Sequence, residues 1–140
     1  MSESIFHFAD DIIYVGVEDM TDGPNTPGQP RKTAYENNGI WAGVTTVTAK
    51  DQPSQWHHHM DHDSIMYMLN GEIRVDWGTN GEKSFTLKPG EFAFFRRGVI
   101  HRAQILECEG DCKFVVVRLG QGETVANVDG PGPNAIDTLI

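Results

Sequence analysis

Histidine is concentrated in one short stretch of this sequence, between Trp56 and Asp63. Four of the chain's six histidines lie there, at positions 57, 58, 59 and 62. Imidazoles crowded on one strand pack poorly in a core and repel one another when they are protonated. Because neutral imidazole is the commonest protein ligand of transition metals, the run indicates a metal-binding site.

Strand periodicity divides the run into two faces. Alternate side chains of a strand point to the same side, so His57 and His59 share one face and His58 takes the other. A site built on two histidines needs a third ligand from elsewhere, and His101, at the start of a later predicted strand, is the candidate. His62 and Asp63, in the predicted loop that follows His59, remain alternative ligands. His58, like His7 near the N-terminus, is interpreted as a surface or loop histidine.

The elements that must position these residues are strands. Period-two segments rich in β-branched and aromatic residues predict eight of them, with turn signals between most. Asn70-Gly71 predicts a tight hairpin. The predicted class is all-β, an antiparallel sandwich or barrel with little helix. The predicted strands cover residues 40–49, 55–59, 65–69, 72–77, 83–87, 91–95, 101–107 and 113–119.

Two segments depart from this pattern. Residues 20–39 and 120–140 are rich in glycine and proline, which predicts loops or arms rather than regular structure. We expect them to lie on the surface, to wrap the barrel mouth, or to reach the second subunit of a homodimer. The whole chain, 1–140, is interpreted as one domain whose barrel core covers about 40–120.

Composition limits the classes of partner. Twenty acidic residues against eleven basic ones give a net charge of −9, which disfavours nucleic acid and anionic membranes. No apolar run is long enough to span a bilayer, and the N-terminal residues do not resemble a signal peptide. Cys108 and Cys112 would close a very short loop, so we expect free thiols and a cytoplasmic location.

The histidines are spaced as in the first motif of the cupin family. That motif has two histidines one residue apart and a glycine further on, matched here by His57, His59 and Gly71. The second motif is matched by Gly90, Gly98 and His101, with Arg96 in place of its proline. The chain thus resembles a cupin over roughly residues 40–120. The resemblance implies a small jelly-roll β-barrel with a metal ion inside its open end.

Ser64 occupies the position at which that first motif has a glutamate. If the intervening loop is one residue shorter, Asp63 takes the position instead. With serine there, the ligand set resembles that of the three-histidine cupin dioxygenases of the gentisate and salicylate type. That resemblance implies His57, His59 and His101 as ligands and favours Fe(II). Affinity order alone would favour copper or nickel over iron, so the ligands do not identify the ion, and Mn, Ni, Zn or Cu remain alternatives.

The function expected from this ligand set is an Fe(II) dioxygenase acting on a small, anionic, chelating molecule. A metal-dependent isomerase, decarboxylase or lyase, or a small-molecule-binding protein without turnover, are the alternatives. Four residues are candidates for substrate contact: Gln55, Ser64, Met66 and Arg96. Arg102 is expected at the surface, whereas four aromatic residues are expected to line the cavity or to pack in the core, namely Trp41, Tyr67, Phe92 and Phe94.

Overall fold

The computed structural model describes residues 11–136, and these fold into two antiparallel β-sheets packed face to face. A single 3-10 turn, Val17–Asp19, precedes the strands, and no α-helix occurs within the described range. The strands are β1 Thr21–Asp22, β2 Arg31–Asn37, β3 Ile40–Val47, β4 His57–His58, β5 His62–Asn70, β6 Glu72–Trp77, β7 Lys83–Leu87, β8 Phe92–Phe95, β9 His101–Glu107, β10 Cys112–Gly120 and β11 Ala126–Asn127. The predicted all-β jelly roll is confirmed.

Non-consecutive strands lie side by side in both sheets. The larger sheet has the order β1-β2-β3-β10-β5-β8, and the smaller has the order β11-β4-β9-β6-β7. The chain therefore crosses between the sheets repeatedly, and the short strand β4, which carries His57, lies between β9 and β11. This placement brings two histidines distant in sequence, His57 and His101, into direct register.

The core is formed by the alternate residues of each strand that face the opposite sheet. On β10, Cys112, Phe114, Val116 and Arg118 are buried, whereas the residues between them are more exposed. The residues of this apolar core are Trp41, Val47, Met66, Met68, Ile73, Val75, Leu87, Phe95, Ala103, Cys112, Phe114 and Val116. Met66 and Met68 point inward as predicted, and so does Trp41.

Gly43 lies where the backbone of β2 and the Trp41 ring leave no room for a side chain. A Cβ atom on Gly43 would collide with the carbonyl oxygen of Lys32 and lie 2.7 Å from the Trp41 ring. The indole is held there because its Nε1–H donates a hydrogen bond to Thr33 Oγ1 (3.2 Å). Only glycine leaves room for this arrangement, in which the Trp41 ring is buried in the core.

The predicted hairpin at Asn70-Gly71 is wrong, because β5 and β6 belong to different sheets. Of the two turn residues only Gly71 has a positive φ, at 89°, so a type I′ turn does not form. A Cβ on Gly71 would lie 2.5 Å from the Cys108 sulfur and 2.7 Å from that of Cys112. Close packing against the two sulfur atoms therefore explains why residue 71 is a glycine. Both cysteines are free thiols, as predicted.

Two further predictions are corrected by the strand positions. Residues Arg31–Asn37 form β2, so part of the segment 20–39 is sheet rather than loop. Phe92 and Phe94 are 69% and 63% exposed and do not pack in the core, since the inward position on β8 belongs to Phe95. Phe94 lines an apolar surface hollow together with Phe85 and Phe95, whereas Phe92 does not. Tyr67 lies on the same outer surface and packs against Phe92.

No helix among residues 11–136 is long and apolar enough to cross a membrane. His7 and the last four residues of the predicted C-terminal tail lie outside the described range.

Candidate metal centre

Three histidines meet inside the barrel, two from the β4 segment and one from β9. Each of His57, His59 and His101 offers one ring nitrogen, and these three nitrogens lie within 4.8 Å of one another. The ring centroids are 4.4 to 5.1 Å apart. All three side chains are buried. Strand alternation therefore predicted correctly which histidines of the run face inward, and the structure brings them together with His101.

Backbone carbonyls fix the orientation of each imidazole. The Nδ1 atoms of His57, His59 and His101 lie 3.0, 3.0 and 2.9 Å from carbonyl oxygens. Because a carbonyl can only accept, each Nδ1 must carry the proton, and each Nε2 keeps its lone pair. The three Nε2 atoms are then the ones free to bind a metal ion. The carbonyls belong to Gln55, Thr124 and Val99, in the same order.

Burial keeps these imidazoles neutral. Desolvation lowers the pKa of His57 and of His59 well below the ordinary value, and the positive charges nearby act in the same direction. Desolvation also lowers the pKa of His101 to about 3, against the opposing effect of its hydrogen bond to Val99. A metal ion binds neutral imidazole, so at neutral pH it does not have to displace protons from these three groups.

The donor set fits a divalent transition metal ion. His57 Nε2 is buried and has no hydrogen-bond partner among the described residues, which is costly unless an ion or other ligand satisfies it. Three imidazoles on one side of an ion leave further coordination positions open, as in catalytic rather than closed structural sites. Among the described residues, these three histidines form the one group of at least three histidine, cysteine or carboxylate side chains whose ligand atoms lie close enough together to share an ion.

The turn after His59 holds an unusual backbone conformation. Met60 has a φ of 55°, the left-handed region that costs a non-glycine residue roughly 1–2 kcal/mol. The Met60 N–H donates a hydrogen bond to His58 Nδ1 (3.1 Å), and His62 Nδ1 lies 3.2 Å from the carbonyl oxygen of His59. These two contacts hold the turn in place. The strained backbone of Met60 therefore lies directly after the ligand candidate His59.

His58, His62 and Asp63 therefore differ from their predicted roles. His58 is only 9% exposed and is not the surface histidine we expected, although it does face away from the cluster. His62 and Asp63 belong to β5 rather than to a loop, and neither joins the three-histidine cluster. The Asp63 carboxylate instead accepts hydrogen bonds from the backbone and the side chain of Arg97.

A mostly enclosed cavity of about 10 Å³, room for about one water molecule, lies beside the cluster between the two sheets. Two of the four predicted substrate-contact residues, Ser64 and Met66, line it together with His59 and His101. The remaining lining is largely apolar, which excludes water from the space next to the imidazoles. It comprises Gln29, Val75, Phe95, Ala103, Phe114, Val116 and Arg118.

Gln55 and Arg96 lie outside this cavity. The Gln55 amide donates a hydrogen bond to the carbonyl of Val128 (3.0 Å), and its backbone rather than its side chain serves the site. Arg96 is exposed and borders a surface hollow together with Trp77 and Val99. Arg102 stays outside as predicted, stacked on Trp56 at 4.4 Å.

Sequence reasoning missed three contributors to the site. The carbonyls of Thr124 and Val99 hold His59 and His101, and no sequence signal identifies a backbone group of that kind. Arg118 lines the cavity from β10 with 1% of its surface exposed. The period-two pattern that buries Phe114 and Val116 places Arg118 on the same face, and extending it by one step would have found this residue.

The comparisons with known proteins agree with this architecture. The model of the cupin domain family matches residues 43–118, more than half of the chain. KdgF from Halomonas sp. superposes with a TM-score of 0.61 at 19% identity, over 78% of this chain and 95% of that one. An uncharacterised protein with a double-stranded β-helix domain from Klebsiella pneumoniae gives a TM-score of 0.62 at 21% identity, over 76% and 90%.

A larger enzyme is also similar to this chain. Hydroxypropylphosphonic acid epoxidase from S. wedmorenis gives a TM-score of 0.66 at 18% identity, and the match covers 79% of this chain but 61% of the epoxidase. A structure of the same kind of protein is described as Fe(II) HppE. At these identities the likeness concerns the fold. No curated protein matches the chain.

Proposed function

The chain belongs to the cupin domain family, and we propose that it is a metal-dependent enzyme in which His57, His59 and His101 hold one Fe(II) ion. The proposed activity is that of a dioxygenase acting on a small, anionic molecule that chelates the ion through two oxygen atoms. The observation that carries the proposal is the three-imidazole cluster, in which every Nδ1 lies within hydrogen-bond distance of a carbonyl oxygen and one ring nitrogen of each histidine lies within 4.8 Å of the others.

The charge of this cluster favours an anionic ligand. Three neutral imidazoles leave the whole charge of a divalent ion uncompensated, whereas a carboxylate ligand would cancel part of it. At the position where a carboxylate is expected, the structure has Ser64, whose buried hydroxyl has no partner among residues 11–136. A hydroxycarboxylate or an enolate would supply the missing negative charge from the substrate.

The protein's own residues determine the surroundings of the imidazoles. Met66, Phe95 and Val116 keep water away from the imidazoles, and the Phe95 ring packs against His101 at 4.4 Å between centroids. The carbonyls behind the imidazoles prevent the rings from turning when a ligand binds. When bound, a ferrous ion supplies the electron transfer to dioxygen that no side chain of the cavity offers. The choice of iron is supported by the fold's likeness to a protein described with Fe(II).

The proposal is tested by preparing the protein without oxygen and loading it with Fe(II). We expect one iron per chain and a nitric oxide adduct with a high-spin electron paramagnetic resonance signal, because the cluster leaves coordination positions open. Oxygen consumption is then measured with gentisate-like, β-diketone and hydroxycarboxylate compounds. Absence of a nitrosyl signal in iron-loaded protein would contradict an open ferrous site. Turnover that is equal with zinc or nickel would instead indicate Lewis-acid chemistry in an isomerase, decarboxylase or lyase.

A further inference from the structure

An apolar hollow opens at the side of the barrel, where both sheets end. β7 is the outermost strand of the smaller sheet and β8 that of the larger one, and side chains of both strands line the hollow. Its volume is about 230 Å³, against about 10 Å³ for the cavity beside the histidines. The lining comprises Trp77, Phe85, Phe94, Phe95, Arg96 and Val99.

The hollow has the size and the lining for one apolar ring. A cavity of about 150 Å³ lined by apolar side chains is large enough for a benzene molecule. Four of the lining residues are aromatic, and aromatic rings attract one another edge to face or offset, beyond the effect of apolar burial alone. The hollow is therefore suited to an uncharged group of about the size of a six-membered ring.

Phe95 connects this hollow to the metal centre. It lines both the hollow and the inner cavity, and the two linings have no other residue in common. Its ring centroid lies 6.3 Å from that of Phe85, which lines the hollow, and 4.4 Å from that of His101, which lines the cavity. A single side chain, itself 7% exposed, thus separates the hollow from the histidine cluster.

The inner cavity alone has no room for a chelating molecule. A space of about 10 Å³ holds one water molecule, whereas a molecule that chelates through two oxygen atoms is several times larger. The hollow on the other side of Phe95 supplies the missing volume. Because the Phe95 ring borders this open space, it can change rotamer without displacing a packed neighbour on that side.

We infer that the hollow binds a ring-sized apolar group of the substrate while its anionic, chelating end lies at the metal centre, and that Phe95 is the movable wall between them. The substrate is then a small anion that carries its charge at one end and an apolar group at the other. The inference rests on the proposed function for the chelating end only.

A matched pair of ligands tests the hollow. Mandelate and lactate are both 2-hydroxycarboxylates, but mandelate carries a phenyl group where lactate has a methyl group. Calorimetry on Fe(II)-loaded protein without oxygen should give at least about tenfold tighter binding for mandelate, as expected for burial of a ring. Phe94→Ala should lower this ratio at least about threefold, the contribution of one aromatic contact, and leave the affinity for lactate unchanged.

Phe92→Ala is the matched control. Phe92 lies on the same strand and is 69% exposed, against 63% for Phe94, but it does not line the hollow and packs against Tyr67. Its loss should leave the preference for mandelate intact. Equal affinities for mandelate and lactate in the unaltered protein, or a preference that the two variants change equally, would overturn the inference.

Fluorobenzene tests the hollow without the metal ion. In metal-free protein its fluorine NMR signal should shift and broaden in a saturable manner, which Phe94→Ala weakens and Phe92→Ala does not. This response would uphold the hollow even if the iron proposal failed, whereas its absence together with normal iron loading would count against the hollow alone. Absence of the response together with a dimer in light scattering that both variants weaken would show that a second copy of the chain covers the hollow, and would overturn the inference.

Substitution of Phe95 tests the wall. Phe95→Ala should raise the rate at which mandelate binds to the Fe(II)-loaded protein, followed by stopped-flow absorbance, because no ring then has to turn aside. Phe95→Leu removes the ring but keeps an apolar side chain in the core, and it provides the same comparison if the alanine variant does not fold. An unchanged rate in the folded variant would show that Phe95 is not the wall and would overturn that part of the inference.

Discussion

The Nδ1 of His59 lies 3.0 Å from the carbonyl oxygen of Thr124, 65 positions further along the chain. This contact couples a ligand of the metal centre to the segment that follows β10. The same segment contributes β11, which pairs with β4 beside His57 and His58. The segment 120–140 was predicted to be a loop or an arm. Its described part instead contains a short strand that lies beside β4, the strand that carries His57.

Asn127→Ala should therefore weaken metal binding although Asn127 touches no ligand. Asn127 joins the segment to the loop before β2, because its side chain accepts from Thr26 Oγ1 (2.8 Å) and donates to Asn25 O (3.0 Å). Releasing the segment allows Thr124 to move away from His59. We expect a loss of up to about tenfold in Fe(II) affinity, as for other residues that orient ligands. Competition with a chromophoric chelator measures it. Asp129→Ala, an exposed change two residues later, is the control, and equal affinities in both variants would contradict the coupling.

Replacing single histidines should separate the inward face of the run from the outward face. His57→Ala and His101→Ala should each reduce metal affinity by more than about 100-fold, since a direct ligand contributes more than the group that orients it. His58→Ala should retain one ion per chain, because its Nδ1 serves the Met60 turn rather than the cluster. Metal content is measured by mass spectrometry after gel filtration. An ion retained in His101→Ala but lost in His58→Ala would contradict the assigned ligand set.

Local patterns in the sequence predicted the strands well and predicted the connections between them less well. The alternation of buried residues on β10 follows directly from period two, and so do the inward positions of His57 and His59. The Asn70-Gly71 hairpin failed because a turn motif records only local backbone preference. The position of β5 is instead set by long-range pairing with β10, which seven consecutive register pairs, from Phe114 opposite Met68 to Gly120 opposite His62, establish.

The candidate site was predictable only where a side chain of recognised chemistry marked it. His101 was found because imidazole is a familiar ligand, and Ser64 because the cupin motif specifies its position. Thr124 acts through a carbonyl that any residue type could supply, so its identity carries no signal. Arg118 follows three valines in the sequence and shares its inward face with Phe114 and Val116. The sequence alone does not show that this charged side chain is buried, because burial depends on how β10 packs.

The two cysteines should react at very different rates. Cys112 is buried, and burial, followed by the influence of Cys108, raises the pKa of its thiol to about 12. Since the thiolate is the reactive form, Cys112 stays protonated and unreactive at pH 8. We expect iodoacetamide to label Cys108, which is partly exposed, and to label Cys112 only in denaturant. Peptide mapping identifies the modified residue, with Cys108→Ser as the control. Fast labelling of Cys112 in that folded variant would contradict its burial.

Gly43→Ala should be strongly destabilising. The added methyl group would meet the Lys32 carbonyl and the Trp41 ring, neither of which can move without opening β2 from β3. We expect a loss on the order of 3 kcal/mol in the free energy of unfolding, at the upper end for overpacking. Urea denaturation followed by tryptophan fluorescence measures it. Gly130→Ala is the matched control, because nothing lies within 4 Å of a Cβ there. A similar small effect in both variants would show that the strands are not closely packed at Gly43.

Asp63→Asn should lower stability in a manner that depends on pH. Partial burial raises the pKa of Asp63. Hydrogen bonds from the side chain and the backbone N–H of Arg97, together with its positive charge, outweigh this effect, so the pKa of Asp63 lies below the ordinary value of 3.8. A carboxyl whose pKa is lower in the folded state stabilises that state above its unfolded pKa, and this contribution disappears as the pH falls through the folded value. The wild type should therefore exceed the variant at pH 6 by less than about 1 kcal/mol, since the pair is partly exposed.

That difference should shrink below about pH 4, where the carboxyl of the unfolded chain begins to take up protons. Urea titrations of both proteins at pH 6, 4.5 and 3.5 measure it, and only the difference between them is interpreted, because other groups titrate equally in both. Asp129→Asn, an exposed carboxylate after β11, is the control and should show no comparable difference at any of these pH values. A difference for Asp63→Asn that stayed constant down to pH 3.5 would mean that the contact with Arg97 acts through hydrogen-bond geometry alone. The amide of asparagine would then reproduce only part of that contact at every pH, and the charge of the carboxylate would contribute nothing to anchoring β5 beside the metal centre.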